Sequence, residues 1–136
     1  MNAAAARVQA EVVASDAPPI GADVIIANPP YMMHSSGRAY RDGGELLGGA
    51  LALDWLTQAL CSLAPGGTML LHTGAAYVEG EAPLLTAISR ACGTAEAFLE
   101  LSEIDPDVFG DELVEADYEQ VERIAAVGAM IKTSGA

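Results

Sequence analysis

Asp23-Val24-Ile25-Ile26-Ala27-Asn28-Pro29-Pro30-Tyr31 decides how the rest of the chain is read. After Asp23 the run Val24–Ala27 is apolar throughout, with no alternation of apolar and polar positions. A strand of that kind is buried on both faces, the pattern of parallel sheets covered by other layers. The run stops at Asn28, and two prolines follow. In open α/β sheets, ligands bind at the carboxyl ends of the strands, which is where this tetrapeptide lies. Pro29 and Pro30 fix φ at both positions and remove both backbone N–H donors. What remains is a rigid row of carbonyl acceptors, the Asn28 side-chain oxygen and the Tyr31 ring. That set suits a planar –NH2 group: Asn28 Oδ1 and the Pro29 carbonyl each accept one N–H, and Tyr31 stacks on the flat face. Acceptors arranged so oppose delocalisation of the nitrogen lone pair and present it to an electrophile, with no strong general base required. The plainer alternative is a stiff turn in which Asn28 bonds its own backbone.

Outward from this stretch, strands and helices alternate. Upstream, residues 2–9 read as the end of a helix, Glu11–Ser15 as a short β-branched strand ending in Asp16, and Ala17–Ala22 as a loop. Downstream, Asn28–Gly49 has little periodicity, and about 20 irregular residues inside a compact domain are usually functional. Ala50–Leu63 reads as a helix, with Leu53, Leu56, Leu60 and Leu63 at three- and four-residue spacing. Ala64–Gly67 is a stop and turn, and Thr68–Thr73 a second buried strand. Ala82–Ala91 is a second helix, with Pro83 in its first turn and Gly93 past its end. Ala95–Leu101 and Arg123–Lys132 are strands joined by an acidic connection with a helical turn near Tyr118–Val121. The pattern predicts a three-layer α/β fold with a mostly parallel sheet and an antiparallel hairpin at its C-terminal edge.

Composition narrows the function classes. The 136 residues carry 6 Lys and Arg against 19 Asp and Glu, a formal net charge of −13. Such acidity argues against gripping a phosphate backbone unaided, since nucleic-acid binding mostly neutralises phosphates with Lys and Arg. The 51% hydrophobic content is too high for intrinsic disorder. No apolar stretch reaches the roughly 18 residues of a membrane span, and the start lacks the marks of a signal peptide, so a cytoplasmic location without membrane attachment is expected. Cys61 and Cys92 make no disulfide framework, and no Cys/His spacing points to zinc or another metal. Asp105, Asp107 and Asp111 fail as a calcium loop, because Phe109 and Ala116 stand where ligands are needed.

DVIIANPPY resembles motif IV of the class I S-adenosylmethionine-dependent methyltransferases that act on amide or exocyclic amine nitrogens. LAPGGTMLLHTG, residues 63–74, resembles the helix end and fifth strand of that family, and the closing hairpin suits its reversed seventh strand. RVQAEVVASD, residues 7–16, resembles the segment whose acidic end bonds the adenine amino group of the cofactor. The resemblance implies a Rossmann-like methyltransferase fold with S-adenosylmethionine as cofactor. Asn28, Pro29, Pro30 and Tyr31 would carry catalysis, Asp16 would contact adenine, and Asn28 would lie between cofactor and substrate. It also implies substrate contacts in the loop after motif IV, where His34, Arg38, Tyr40 and Arg41 stand; ordinary solvated loop charges explain the two arginines equally well. The substrate would be a protein glutamine, a nucleobase or a small-molecule amine or amide.

The family's Gly-rich loop after a first strand, and the acidic residue after a second, have no counterpart here. Residues 1–136 therefore read as one partial methyltransferase domain with half a cofactor site, inactive alone, the activity belonging to a parent protein. The rival expectation is a non-catalytic methyltransferase-like interaction module. Missing first and second strands would bare the edge of DVIIA, so a homodimer or strand-swapped assembly covering Val24–Ile26 is expected. His72 reads as a hydrogen-bonded strand-end histidine and Trp55 as core or interface packing.

Overall fold

The structure, a computed structural model, describes residues 5–31, 46–108 and 118–135. Four strands and two helices follow in the order β1 (Ala22–Ala27), α1 (Ala50–Ser62), β2 (Leu63–Tyr77), α2 (Pro83–Thr94), β3 (Phe98–Asp105) and β4 (Arg123–Lys132). They form one sheet with strand order β1-β2-β4-β3. The β1–β2 pair is parallel, joined by the α1 crossover, while β2–β4 and β3–β4 are antiparallel. The sheet of the described residues is thus mostly antiparallel, which corrects the mostly parallel expectation. The C-terminal hairpin is present as expected, but β4 inserts between β2 and β3, so it contributes two antiparallel ladders to a four-stranded sheet.

Strand alternation divides the side chains between two faces. One face, through Ile25, Ala27, Met69, Leu71, Ala129, Ile131 and Leu99, packs on Ala52, Leu56 and Ala59 of α1 and on Leu84, Ile88 and Cys92 of α2. The three- and four-residue spacing of those helical positions is why both helices form and why each buries one stripe. Pro83 sits in the first turn of α2, where its missing N–H costs nothing. The other face bears Val24 and Ile26, 60% and 78% exposed, together with Leu70. Only its upper end is covered, where Tyr118 and Val121 pack with Tyr31 on Ala76 and Ile124. Two layers, not three, are therefore present among the described residues.

Further expectations shift. Glu11–Ser15 is not a strand; it is exposed and unpaired, with Val12 97% exposed. Among the described residues it has no neighbouring strand to satisfy its backbone, and β propensity alone does not make a strand. Residues 5–7 form a turn rather than a helix end. The turn at Ala64–Gly67 survives as a bulge within β2: Ala22 pairs with Leu63 but Val24 with Thr68. Gly66 adopts φ +74° there, and a Cβ on Gly67 would meet the Ala64 carbonyl oxygen at 2.8 Å. The α2 helix runs three residues further than expected, past Gly93, and turns at Glu96 with φ +54°. Consequently β3 starts at Phe98, three residues late.

Candidate functional site

The register of β1 on β2 builds the site. Ala27 pairs with Leu71, so the next residue on each strand, Asn28 and His72, come side by side on the open face. Asn28 Oδ1 and His72 Nδ1 are 3.1 Å apart, a hydrogen bond between groups that lie 44 residues apart in sequence. Pro29 is buried and ends the strand by removing its next N–H donor. Pro30 then carries the chain back over the sheet to Tyr31. The Tyr31 ring meets the His72 ring edge-on, centroids 6.3 Å apart and planes at 65°.

Tyr31 is seated on Gly74, two residues beyond His72 and on the same face. A Cβ on Gly74 would collide with ring atom Cδ2 and would stand 2.8 Å from Cγ. No other residue type leaves room for the ring in this position. Tyr31 then joins the cluster of Ala76, Tyr118, Val121 and Ile124, which fixes its far side. The expected acceptor and ring of the tetrapeptide are thus held by two successive open-face positions of β2.

Two cavities flank the tetrapeptide. A groove of about 390 Å³ crosses the open face, with Ile26, Leu70 and Met130 as its apolar part and Asn28, His72, Glu100 and Ser102 as its polar part. Gly128, opposite His72 on β4, forms part of its floor. A second cavity of about 200 Å³ lies along β1 and is lined by Asp16, Trp55 and Gln58 over Ile25, Ala27 and Met69. Asp16 is exposed and its segment is shaped locally, Ser15 Oγ accepting from the Ala17 N–H.

Asn28, Pro29, Pro30 and Tyr31 follow directly on the carboxyl end of β1, and Asp16 lines the separate cavity along Ile25, Ile26 and Ala27 of that strand. His34, Arg38, Tyr40 and Arg41 lie outside the described residues. Sequence reasoning missed Gly74 as the seat of Tyr31; the signal was a glycine within an otherwise buried strand, where close approach of another group is one standard meaning. Trp55, expected as core or interface packing, is half-buried on α1 and lines the cavity with Asp16. His72 is hydrogen-bonded as expected, though its partner lies across the strands. No helix among the described residues is long and apolar enough to cross a membrane. Nor, among them, do three His, Cys, Asp or Glu side chains gather as a metal site.

The fold resembles a known one. The structure of a methyltransferase from Pyrococcus furiosus matches 98% of this chain with a TM-score of 0.55 at 16% identity. The fold is methyltransferase-like. The chain spans only 54% of that neighbour's length. Two other solved structures match more loosely. One is PvuII DNA methyltransferase, cytosine-N4-specific, with 16% identity, TM-score 0.46, and coverage of 88% of this chain and 45% of that one. The other is a putative DNA modification methylase from Thermus thermophilus in complex with S-adenosyl-L-methionine, with 15% identity, TM-score 0.43, and coverage of 89% and 51%. No family model matches the chain, and no curated protein does.

Proposed function

We propose that this chain is the nitrogen-binding part of an S-adenosylmethionine-dependent N-methyltransferase acting on a planar amide or aromatic amine. The observation that supports it most is the Asn28–Tyr31 tetrapeptide standing at the carboxyl end of a strand, beside an open groove, with its ring locked on Gly74. Asn28 Oδ1 and the Pro29 carbonyl accept the two N–H groups of the substrate, and Tyr31 bounds its flat face. Catalysis of this kind is mostly positioning, which leaves the nitrogen lone pair aimed outward. The proton is lost after transfer, so no strong base beside the nitrogen is required.

The cofactor fits in part. In the cavity beside β1, the Asp16 carboxylate is an acceptor for an adenine amino group, and Trp55 with Ile25 and Ala27 supplies apolar surface for the ring. Asp16 and Trp55 would hold that portion of S-adenosylmethionine, which when bound supplies an electrophilic methyl group. The described residues offer no Gly-rich strand-to-helix turn for the rest of the molecule. A second reading, a non-catalytic methyltransferase-like interaction module, is favoured by the exposed Val24 and Ile26 on the uncovered face.

Calorimetric titration with S-adenosylmethionine separates the two. Weak or undetectable binding by the 136-residue chain, with micromolar binding by the whole protein, is the expected result. Micromolar binding by the isolated monomer would refute the half-site account. Absence of binding by the whole protein would leave the interaction module standing.

A further inference from the structure

We infer that His72 is the positioning residue of the Asn28 amide. The inference rests on the reading of Asn28 as a substrate acceptor for its meaning, but not for its test. Asn28 precedes a proline, so its backbone is already confined to extended conformations. What stays free is the pair of side-chain torsions, and an exposed asparagine samples several of their combinations. The 3.1 Å contact with His72 Nδ1 removes that freedom.

His72 is suited to the task because it is itself held. Its backbone belongs to β2, which is paired on both sides, with Gly128 directly opposite on β4. Its ring is braced on a second side by the edge of Tyr31. With Asn28 Oδ1 facing it, Nδ1 must carry the hydrogen, because a carbonyl oxygen only accepts. Nε2 is then left with its lone pair. This tautomer is the minor one for a neutral histidine side chain in water, so its presence reports the contact.

The consequence for recognition is specific. An amide oxygen offers two lone pairs, and His72 occupies one. A single acceptor position on Oδ1 remains, in a fixed direction, alongside the Pro29 carbonyl. The site therefore presents one remaining Oδ1 acceptor position and the Pro29 carbonyl to the two hydrogens of one –NH2 group, rather than a freely rotating amide that could offer its own –NH2 instead.

The test uses NMR on the full chain, with His34→Gln as background so that one histidine ring remains. Ring 15N spectra at alkaline pH, where imidazoles are neutral, are expected to show the Nδ1–H tautomer. In Asn28→Ala the spectrum shifts to the Nε2–H form. Side-chain couplings of Asn28 are expected to report one fixed χ1 rotamer, averaged in His72→Leu and restored in His72→Asn, whose Nδ2 stands where Nδ1 did. Strand amide signals of β2 and β4 verify that each variant folds. An Nε2–H ring in the unmodified site, a tautomer indifferent to Asn28→Ala, or Asn28 couplings unaffected by His72→Leu would each overturn the inference. So would averaging in His72→Asn equal to that in His72→Leu. Because none of these readouts involves methyl transfer, a failed function assignment leaves them intact.

Discussion

Replacing Gly74 by alanine puts a methyl group where the Tyr31 ring now lies. The ideal Cβ would stand 2.5 Å from Cε2 and 2.8 Å from Cγ, with Cδ2 closer still. Carbon atoms do not approach so closely, so either β2 or the ring must move. β2 is laddered to β4 at this point, where Gly74 pairs with Ala126, whereas Tyr31 lies beyond the end of β1 with its ring packed among side chains. The ring gives way. Full burial of a Phe-sized side chain is worth about 1.5–3 kcal/mol, and Tyr31 is half-buried. Adding residual overpacking strain, the expected loss is ~1–3 kcal/mol. Gly128→Ala is the matched control on the same sheet face: its Cβ would meet only the Ile104 side chain, Cδ1 at 3.4 Å and Cγ1 at 4.0 Å, ordinary contacts. Its stability should stay within about 0.5 kcal/mol of the parent chain. Urea unfolding followed by circular dichroism measures all of these. In a double-mutant cycle, Gly74→Ala made in a Tyr31→Ala background should cost little, giving a coupling of about 1–3 kcal/mol. Additivity of the two substitutions would refute the seating of the ring on Gly74.

Two other outcomes are expected. β1 is an edge strand with Val24 and Ile26 exposed, so we propose self-association through this face; sedimentation over a dilution series should show a dimer that Ile26→Lys dissociates, and a monomer at all concentrations would contradict it. Ile25 is unsuitable for that test because it packs on the helices. Burial pushes the Cys92 thiol up from its ordinary value, keeping it protonated and slow, whereas Cys61 on α1 is exposed. A thiol reagent at pH 8 should label Cys61 quickly and Cys92 only on unfolding; equal rates would contradict the packing of α2.

Where the sequence was legible, a single local rule sufficed. The leucine spacing of Ala50–Leu63 and Pro83 with its following apolar stripe locate both helices, and Arg123–Lys132 is bounded as its apolar run is. Tertiary neighbours decided the rest. Glu11–Ser15 has strand residues but no strand to pair with among those described, so its valines stay in solvent. Sheet direction was misjudged because β4 inserts beside β2, a choice that depends on long-range pairing and leaves no mark in periodicity. At the site, the tetrapeptide stood out because Pro-Pro directly after an apolar run is locally unusual. That strand nevertheless buries only one face, Val24 and Ile26 being exposed where both faces were expected to be covered. The tetrapeptide's partners His72 and Gly74 were not legible, because only the β1–β2 register brings them to Asn28 and Tyr31.

Methyl transfer by the whole protein, compared with its Asn28→Ala variant, tests the central claim most directly. Radiolabelled S-adenosylmethionine supplies the count, and mass spectrometry locates the methyl group. The account predicts a methyl on an amide or amine nitrogen. Loss of one preorganised contact at the reacting centre should lower kcat about 10²-fold, by analogy with single hydrogen-bond deletions at other active sites. Cofactor affinity should stay within a few-fold, because the role proposed for Asn28 is toward the nitrogen in the transition state. Unchanged turnover in Asn28→Ala, or a methyl group found on oxygen, sulfur or carbon, would contradict it.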